Sequence, residues 1–267
     1  MKNIGGFLDF LFPRTCAMCG ERLTVSEKEV CARCVMQLHR LRYDGDGHHG
    51  YIERLFWAKI PIEKATSMFY YEGGEARRLL HSIKYRNRPR AGEELAKVFA
   101  REMLDEDFFD EVDGIVAVPL HWRRRLRRGY NQSDYIARGI SSITQIPVLR
   151  NVIKRTVNNS TQTHLNHFQR QENVKDIFRL TRPDMVVGKH ILLVDDVMTT
   201  GATILSCAQE LASIPDVRIS VFTLALANQP VDFAVYENTP MEYEFHVRPT
   251  TPQKDASADS SELDLPY

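Results

Sequence analysis

Residues 191–203 run ILLVDDVMTTGAT. Four aliphatic residues, Ile191 to Val194, predict a strand buried on both faces, as parallel sheets require. Asp195 and Asp196 follow where that strand should end. A run of small and hydroxylated residues comes next, Met198-Thr199-Thr200-Gly201-Ala202-Thr203, and leads into an apolar-periodic segment that reads as helix. A strand end feeding a small-residue loop and a helix start makes a phosphate cradle. Backbone N–H groups point inward, hydroxyls add donors, and the helix dipole favours an anion. Gly201 opens backbone dihedrals closed to other residues. The two carboxylates beside the cradle can accept hydrogen bonds from sugar hydroxyls, so the segment suits a ribose 5-phosphate.

The string resembles the phosphoribosyl pyrophosphate (PRPP) loop of type I phosphoribosyltransferases, in which aliphatic residues and an acidic pair precede a threonine- and glycine-rich turn. The resemblance implies that Asp195 and Asp196 contact the ribose 2- and 3-hydroxyls. It also implies that Thr199, Thr200, Gly201, Ala202 and Thr203 hold the 5-phosphate. Receiver domains also end a strand in paired aspartates, but that strand opens a domain of about 120 residues, more than follow here. A Walker-type site needs the G-x-x-x-x-G-K-[ST] loop, which this sequence lacks.

The chain has 267 residues, 43% of them hydrophobic, enough for one substantial α/β domain and a small accessory module. Its formal net charge of zero hides a division. From Pro230 onward eight acidic residues face two basic ones, so the preceding part holds a surplus of six positive charges. A basic body suits a polyphosphate ligand or nucleic acid. No apolar run approaches the 18 or more residues of a membrane span. The opening MKNIGGFLDFLFP has apolar residues at helical spacing and is too short and broken for a secretory segment. It is read as a short helix, and the protein is expected in the cytoplasm.

Four of the five cysteines fall as Cys16-x2-Cys19 and Cys31-x2-Cys34. Two such knuckles can converge four thiolates tetrahedrally on zinc. Full coordination leaves no open position for water, so this zinc is expected to be structural. The module is accordingly expected to stand apart from the phosphate loop, with Cys16→Ser releasing metal and leaving PRPP affinity intact. Cys207 reads as a small buried apolar residue.

Between these landmarks, Leu41 to Gly50 is a polar linker whose His48 and His49 read as solvated. Thr66 to Tyr71 predicts a strand, Glu75 to Lys84 and Gly92 to Leu104 predict helices, and Asp113 to Pro119 predicts a short buried strand. The segment LHWRRRLRRGYNQS then places arginines at 123, 124, 125, 127 and 128. It reads as an arginine loop at the carboxyl end of a core strand, where α/β sheets bind ligands, with guanidinium groups clamping phosphate. Trp122 and Tyr130 either stack on a base or cap the core. A helix over Asp134 to Ile143, a strand near Val148, and strands over Asp176 to Leu180 and Arg218 to Ala227 complete the elements. The polar stretch Val157 to Val174 reads as a lid that excludes water from the reaction. Alternating strands and helices imply a parallel α/β sheet flanked by helices. The tail is expected to be largely disordered beyond about Val247.

The cysteine module, Val118-Pro119-Leu120 with Arg125 and Arg128-Gly129-Tyr130-Asn131-Gln132, then Arg155-Thr156, Gln162, Leu165, Arg170 and Asn173, and finally the phosphate loop occur in an order that resembles the ComF family of competence-associated proteins. The resemblance implies a zinc-ribbon domain joined to a type I phosphoribosyltransferase fold. The expected boundaries are 1–45 for the N-terminal helix and ribbon, 46–229 for the phosphoribosyltransferase-like domain, and 230–267 for the acidic tail. It further implies Mg2+ with PRPP, and a role in handling transforming DNA. Asp195, Asp196, Arg125 and Arg128 are the expected catalytic group, Arg123 and Arg124 join the PRPP contacts, and Arg155, Gln162 and Arg170 are lid residues. The activity implied is phosphoribosyl transfer to an acceptor that the sequence does not specify. The alternative is a non-catalytic adaptor that senses PRPP or binds single-stranded DNA and competence-machinery proteins.

Overall fold

The computed structural model describes residues 13–41, 43, 51–56, 59–156 and 177–227. The expected N-terminal helix, the histidine pair of the linker, lid residues Gln162, Leu165, Arg170 and Asn173, and the acidic tail lie outside these residues. Met1–Gln229 form one compact unit.

Four parallel strands make the main sheet. They are β1 (Ala65–Tyr70), β2 (Gly114–Ala117), β5 (His190–Met198) and β6 (Arg218–Leu226), in the order β1-β6-β5-β2. The helices are α1 (Ala32–Met36), α2 (Tyr51–Arg54), α3 (Gly73–Tyr85), α4 (Pro89–Glu102), α5 (Trp122–Arg128), α6 (Gln132–Thr144) and α7 (Ala202–Ala212). A small antiparallel pair joins β3 (Ile153–Arg155) to β4 (Phe178–Leu180). Parallel neighbours need a crossover rather than a hairpin, and α7 supplies it between β5 and β6. The central strands are almost wholly buried, which suits the aliphatic run of β5 and the IleSerValPheThrLeuAlaLeu run of β6.

Several expectations change in the structure. The acidic pair does not follow the strand; it lies inside it. Pairing with β6 continues through Asp195↔Thr223, Val197↔Ala225 and Met198↔Leu226, whereas pairing with β2 stops at Ala117↔Val194. β6 supplies partners for Asp195 and for Val197 and Met198 beyond the pair, so the strand is not broken by the low β-propensity of aspartate. The arginine segment is likewise not a loop. It is a seven-residue helix that begins at the His121 cap and ends at Gly129, in the left-handed region at φ 85°. Arginine and leucine are good helix formers, and the glycine past the last turn closes it. Near Val148 there is a single parallel bridge to Ile115 rather than a full strand.

The zinc-ribbon residues are part of the main core, not a separate lobe. Cys16, Ala17, Met18, Cys31 and Cys34 pack in one apolar cluster with Leu79, Leu80 and Ile83 of α3. On that helix Arg78 Nε donates to Met18 O at 3.0 Å, and Ser82 Oγ donates to Ala17 O at 3.0 Å. Arg88, at the start of α4, donates to Thr15 O. The first cysteine knuckle therefore rests its backbone carbonyls on α3.

Candidate functional site

The site begins where the sheet loses one neighbour. β2 leaves β5 after Val194 and turns away at Pro119, while β5 and β6 run on together. Asp195 and Asp196 occupy the uncovered end, which is the crevice beyond the strand termini where open α/β sheets hold ligands. Both are buried. Asp195 Oδ1 accepts hydrogen bonds from Ser133 Oγ at 2.8 Å and from the Asp196 backbone N–H at 2.9 Å. Burial, reinforced by the adjacent Asp196 carboxylate, pushes the Asp195 carboxyl up to about 7. Lys84 Nζ, from the last turn of α3, stands 3.1 Å from Asp196 Oδ2. That oxygen accepts no hydrogen bond, so the contact is an ion pair.

Beyond Met198 the chain turns through Thr199 and Thr200 into α7. Gly201 caps the helix at φ 72°, in the left-handed region. A Cβ there would sit 3.6 Å from the Phe56 ring and 3.8 Å from Leu55 Cβ, so the turn is supported from beneath. No side chain caps α7. Thr199, Thr200, Ala202 and Thr203 are exposed; the Ala202 amide donates to Thr200 Oγ1 at 3.5 Å, and the threonine hydroxyls face outward, where a helix start favours an anion.

The basic helix divides its arginines. Arg124, Arg127 and Arg128 meet Lys84, Tyr85 and Asn87 around a cleft of about 500 Å³. Arg128 lies over the Tyr85 ring, 5.5 Å from its centroid, and donates to Gln132. Arg125 lines a different cleft. Arg123 lies over Trp122, which is 57% exposed. Tyr130 resolves differently from Trp122: it is buried and its hydroxyl donates to Ile83 O, so it belongs to the core. The His121 side chain is buried, and its Nδ1 accepts the Arg123 amide at 3.3 Å. Burial, and then the charge of Arg155 and its neighbours, lowers its pKa. Arg155, at the end of β3, lies over the Phe178 ring at 5.4 Å. Its own pKa is lowered by burial and then by Arg124, and raised in part by Asp195. Arg155 is thus within electrostatic reach of the acidic pair.

Lys84, Ser133 and His121 were not singled out from the sequence. Lys84 opens a basic stretch with Arg86, Arg88 and Arg90 that Pro89 interrupts, and Ser133 is an ordinary helix N-terminal serine. Their partners are 112 and 62 positions away in the chain, and no local pattern reports such pairings.

The ligand atoms of Cys16, Cys19, Cys31 and Cys34 all lie within 4.8 Å of one another. Tetrahedral zinc with Zn–S bonds near 2.3 Å separates its sulfurs by about 3.8 Å, so the four thiols fit one structural Zn2+. Three of them are buried, and four sulfurs fill its coordination. Arg33 and Lys28 pair with Glu21 and Glu94.

A parallel sheet flanked by helices, with an acidic pair and a small-residue turn at its carboxyl edge, has the type I phosphoribosyltransferase fold, here carrying a zinc ribbon. Residues 7–44 match the double zinc ribbon domain family. The chain belongs to the ComF family of competence-related proteins. It is 30% identical to the DNA utilization protein YhgH of Escherichia coli strain K12 over 199 residues, 73% of this chain and 82% of that protein. It is 27% identical to Competence protein F of Haemophilus influenzae over 224 residues, 79% of this chain and 96% of that protein. Adenine phosphoribosyltransferase from Saccharomyces cerevisiae aligns at 10% identity and a TM-score of 0.35, covering 54% of this chain and 72% of that one. That alignment carries no conclusion about chemistry. No helix among the described residues is long and apolar enough to cross a membrane.

Proposed function

We propose that the chain binds Mg2+–PRPP at the carboxyl edge of β5 and transfers its phosphoribosyl group to an acceptor, in a role tied to the handling of transforming DNA. The observation that carries this reading is the juxtaposition of the buried, Lys84-paired Asp195–Asp196 couple with the uncapped, exposed Thr199–Thr203 turn. In this reading the aspartates accept hydrogen bonds from the ribose hydroxyls and the turn holds the 5-phosphate. Lys84 pairs with Asp196 and fixes the direction of its carboxylate for that task. Arg124 and Arg128 lie across the cleft from Lys84 and are assigned to the departing pyrophosphate, whose growing charge they stabilise. Arg155, with Gln162 and Arg170 beyond the described residues, is assigned to closure over the site. Arg125 and Arg123 take no part in this cleft.

Magnesium suits the donor set indirectly. Asp195 Oδ1 already accepts two hydrogen bonds and Asp196 Oδ2 is paired with Lys84, so the ion would be carried by ligand oxygens and water. Mg2+ takes oxygen ligands and keeps several waters. Bound there, it would neutralise diphosphate charge. Calorimetric titration with PRPP, with and without Mg2+, beside an Asp195→Asn/Asp196→Asn variant, tests the reading. Magnesium-dependent binding lost in the variant is the expected result. Failure of the intact chain to bind would remove it.

A second reading rests on α5. Trp122 and Leu126 are 57% and 75% exposed on a helix that carries five arginines, the pairing of aromatic and cationic groups that holds single-stranded nucleic acid. On that reading the fold is a DNA-binding or partner-binding adaptor, with PRPP as a signal rather than a substrate.

A further inference from the structure

On the other side of α5 from Lys84 a second cleft of about 430 Å³ opens. It is walled by the carboxyl end of β2, the first turns of α6 and residues 148–153. None of its lining residues belongs to the acidic pair or the 199–203 turn. Three arginines border it, Arg125 from α5, Arg138 from α6 and Arg150, and Asp134 is the carboxylate among its lining residues.

Arg138 shows what is missing. Its Nε is buried and has no hydrogen-bond partner. The guanidinium lies 3.7 Å from the centroid of the Tyr135 ring, which offsets only part of the cost of removing a charge from water. Asp134, one helical turn earlier, occupies the position from which a carboxylate normally pairs with an arginine. Its Oδ1 instead accepts from Asn131 Nδ2 at 3.2 Å. Asn131 is 4% exposed. Its Nδ2 also donates to Val118 O at 3.1 Å. Two acceptors on one nitrogen fix the orientation of the amide, and they leave Asn131 Oδ1 buried with no donor. Both atoms belong to side chains that line this cleft, and each has almost no accessible surface of its own. Buried polar atoms in native proteins are seldom left without a partner.

We propose that this cleft binds a small phosphate ester of mononucleotide size, at a site distinct from the Gly201 turn. Guanidinium forks match phosphate oxygens in paired hydrogen bonds. The three arginines supply them from three separate segments, so the anion would hold α5, α6 and residues 148–153 together. The volume falls in the range of small-molecule sites. The inference goes beyond the phosphoribosyl reading and does not depend on it.

The test is calorimetry on the full chain with three separate probes: adenosine 5′-monophosphate, inorganic phosphate and a short thymidine oligonucleotide. The mononucleotide is expected to bind, and free phosphate to bind more weakly at the same place. Arg150 is exposed, so Arg150→Gln should fold normally and weaken the mononucleotide about tenfold or more. Arg138→Gln should do the same, its folding checked by thermal melt. Because the Gly201 turn suits a ribose 5-phosphate too, the mononucleotide titrations are made in the Asp195→Asn/Asp196→Asn background, where PRPP binding is expected to be lost and binding at this cleft to persist, which separates failure of one reading from failure of the other. The proposal is overturned if the mononucleotide does not bind or if both arginine variants bind it normally. It is equally overturned if the aspartate variant loses it, or if the oligonucleotide binds and the mononucleotide does not.

Discussion

An ionised carboxylate held out of water is a thermodynamic burden, and the fold places one at Asp195. With its pKa raised to about 7 by burial and by Asp196, the folded chain holds a proton that the unfolded chain has already released. Between the ordinary aspartate value near 3.9 and about 7 the native state therefore binds more protons, and stability falls as pH rises through that window. Asp195→Asn removes the titration and keeps a group that can accept from Ser133. We expect the unliganded variant to melt higher than the parent at pH 8 and to lose part of the parent's gain on acidification to pH 5.5. Each kcal/mol recovered corresponds to about 2–4 °C in a domain of this size. Identical melting of the two proteins at both pH values would show that Asp195 carries no strain. The position of the pair was readable in the sequence because ILLVDDV is a local pattern: an aliphatic run, then charge. Lys84 and Ser133 were not readable, since only the folded sheet brings α3 and α6 to the end of β5.

At the scale of elements, α3 does two tasks on one rod. Arg78 and Ser82 hold the carbonyls of Met18 and Ala17, and Lys84, at the end of the same helix, meets Asp196. We propose on this arrangement that ribbon and ligand site are coupled, against the independence expected from the sequence. The spacing of the cysteines reveals a zinc site but not what the knuckle leans on. Ser82→Ala deletes one buried donor and should lower stability by about 1 kcal/mol while hastening zinc transfer to a chromophoric chelator. An unchanged transfer rate would mean that apolar packing alone holds the knuckle. The basic segment offers a second lesson in reading. Its charge density drew it toward a loop, although WRRRLRR has no helix breaker and is bounded by His121 and Gly129, the capping signals that settle its form.

For the molecule as a whole, the division of charge decides how it meets polyanions. Residues before Pro230 carry six surplus positive charges and those after it six surplus negative ones. If single-stranded DNA is a ligand, its affinity should fall linearly with salt on logarithmic axes. Replacing Arg123, Arg124 and Arg127 by glutamine should reduce that slope by about 2, at roughly 0.7 per phosphate contact. Binding indifferent to salt would remove DNA from consideration. The parallel architecture was legible because buried strands alternating with amphipathic helices leave few alternatives. The two clefts on either side of α5 were not, because which arginine faces which wall is decided by the helix's rotation against β2 and α6. The shared rod of α3 has a practical corollary. Chain stripped of its metal by a chelating buffer would keep every aspartate and threonine of the cradle and still present as a poor binder, its lysine having lost a fixed address.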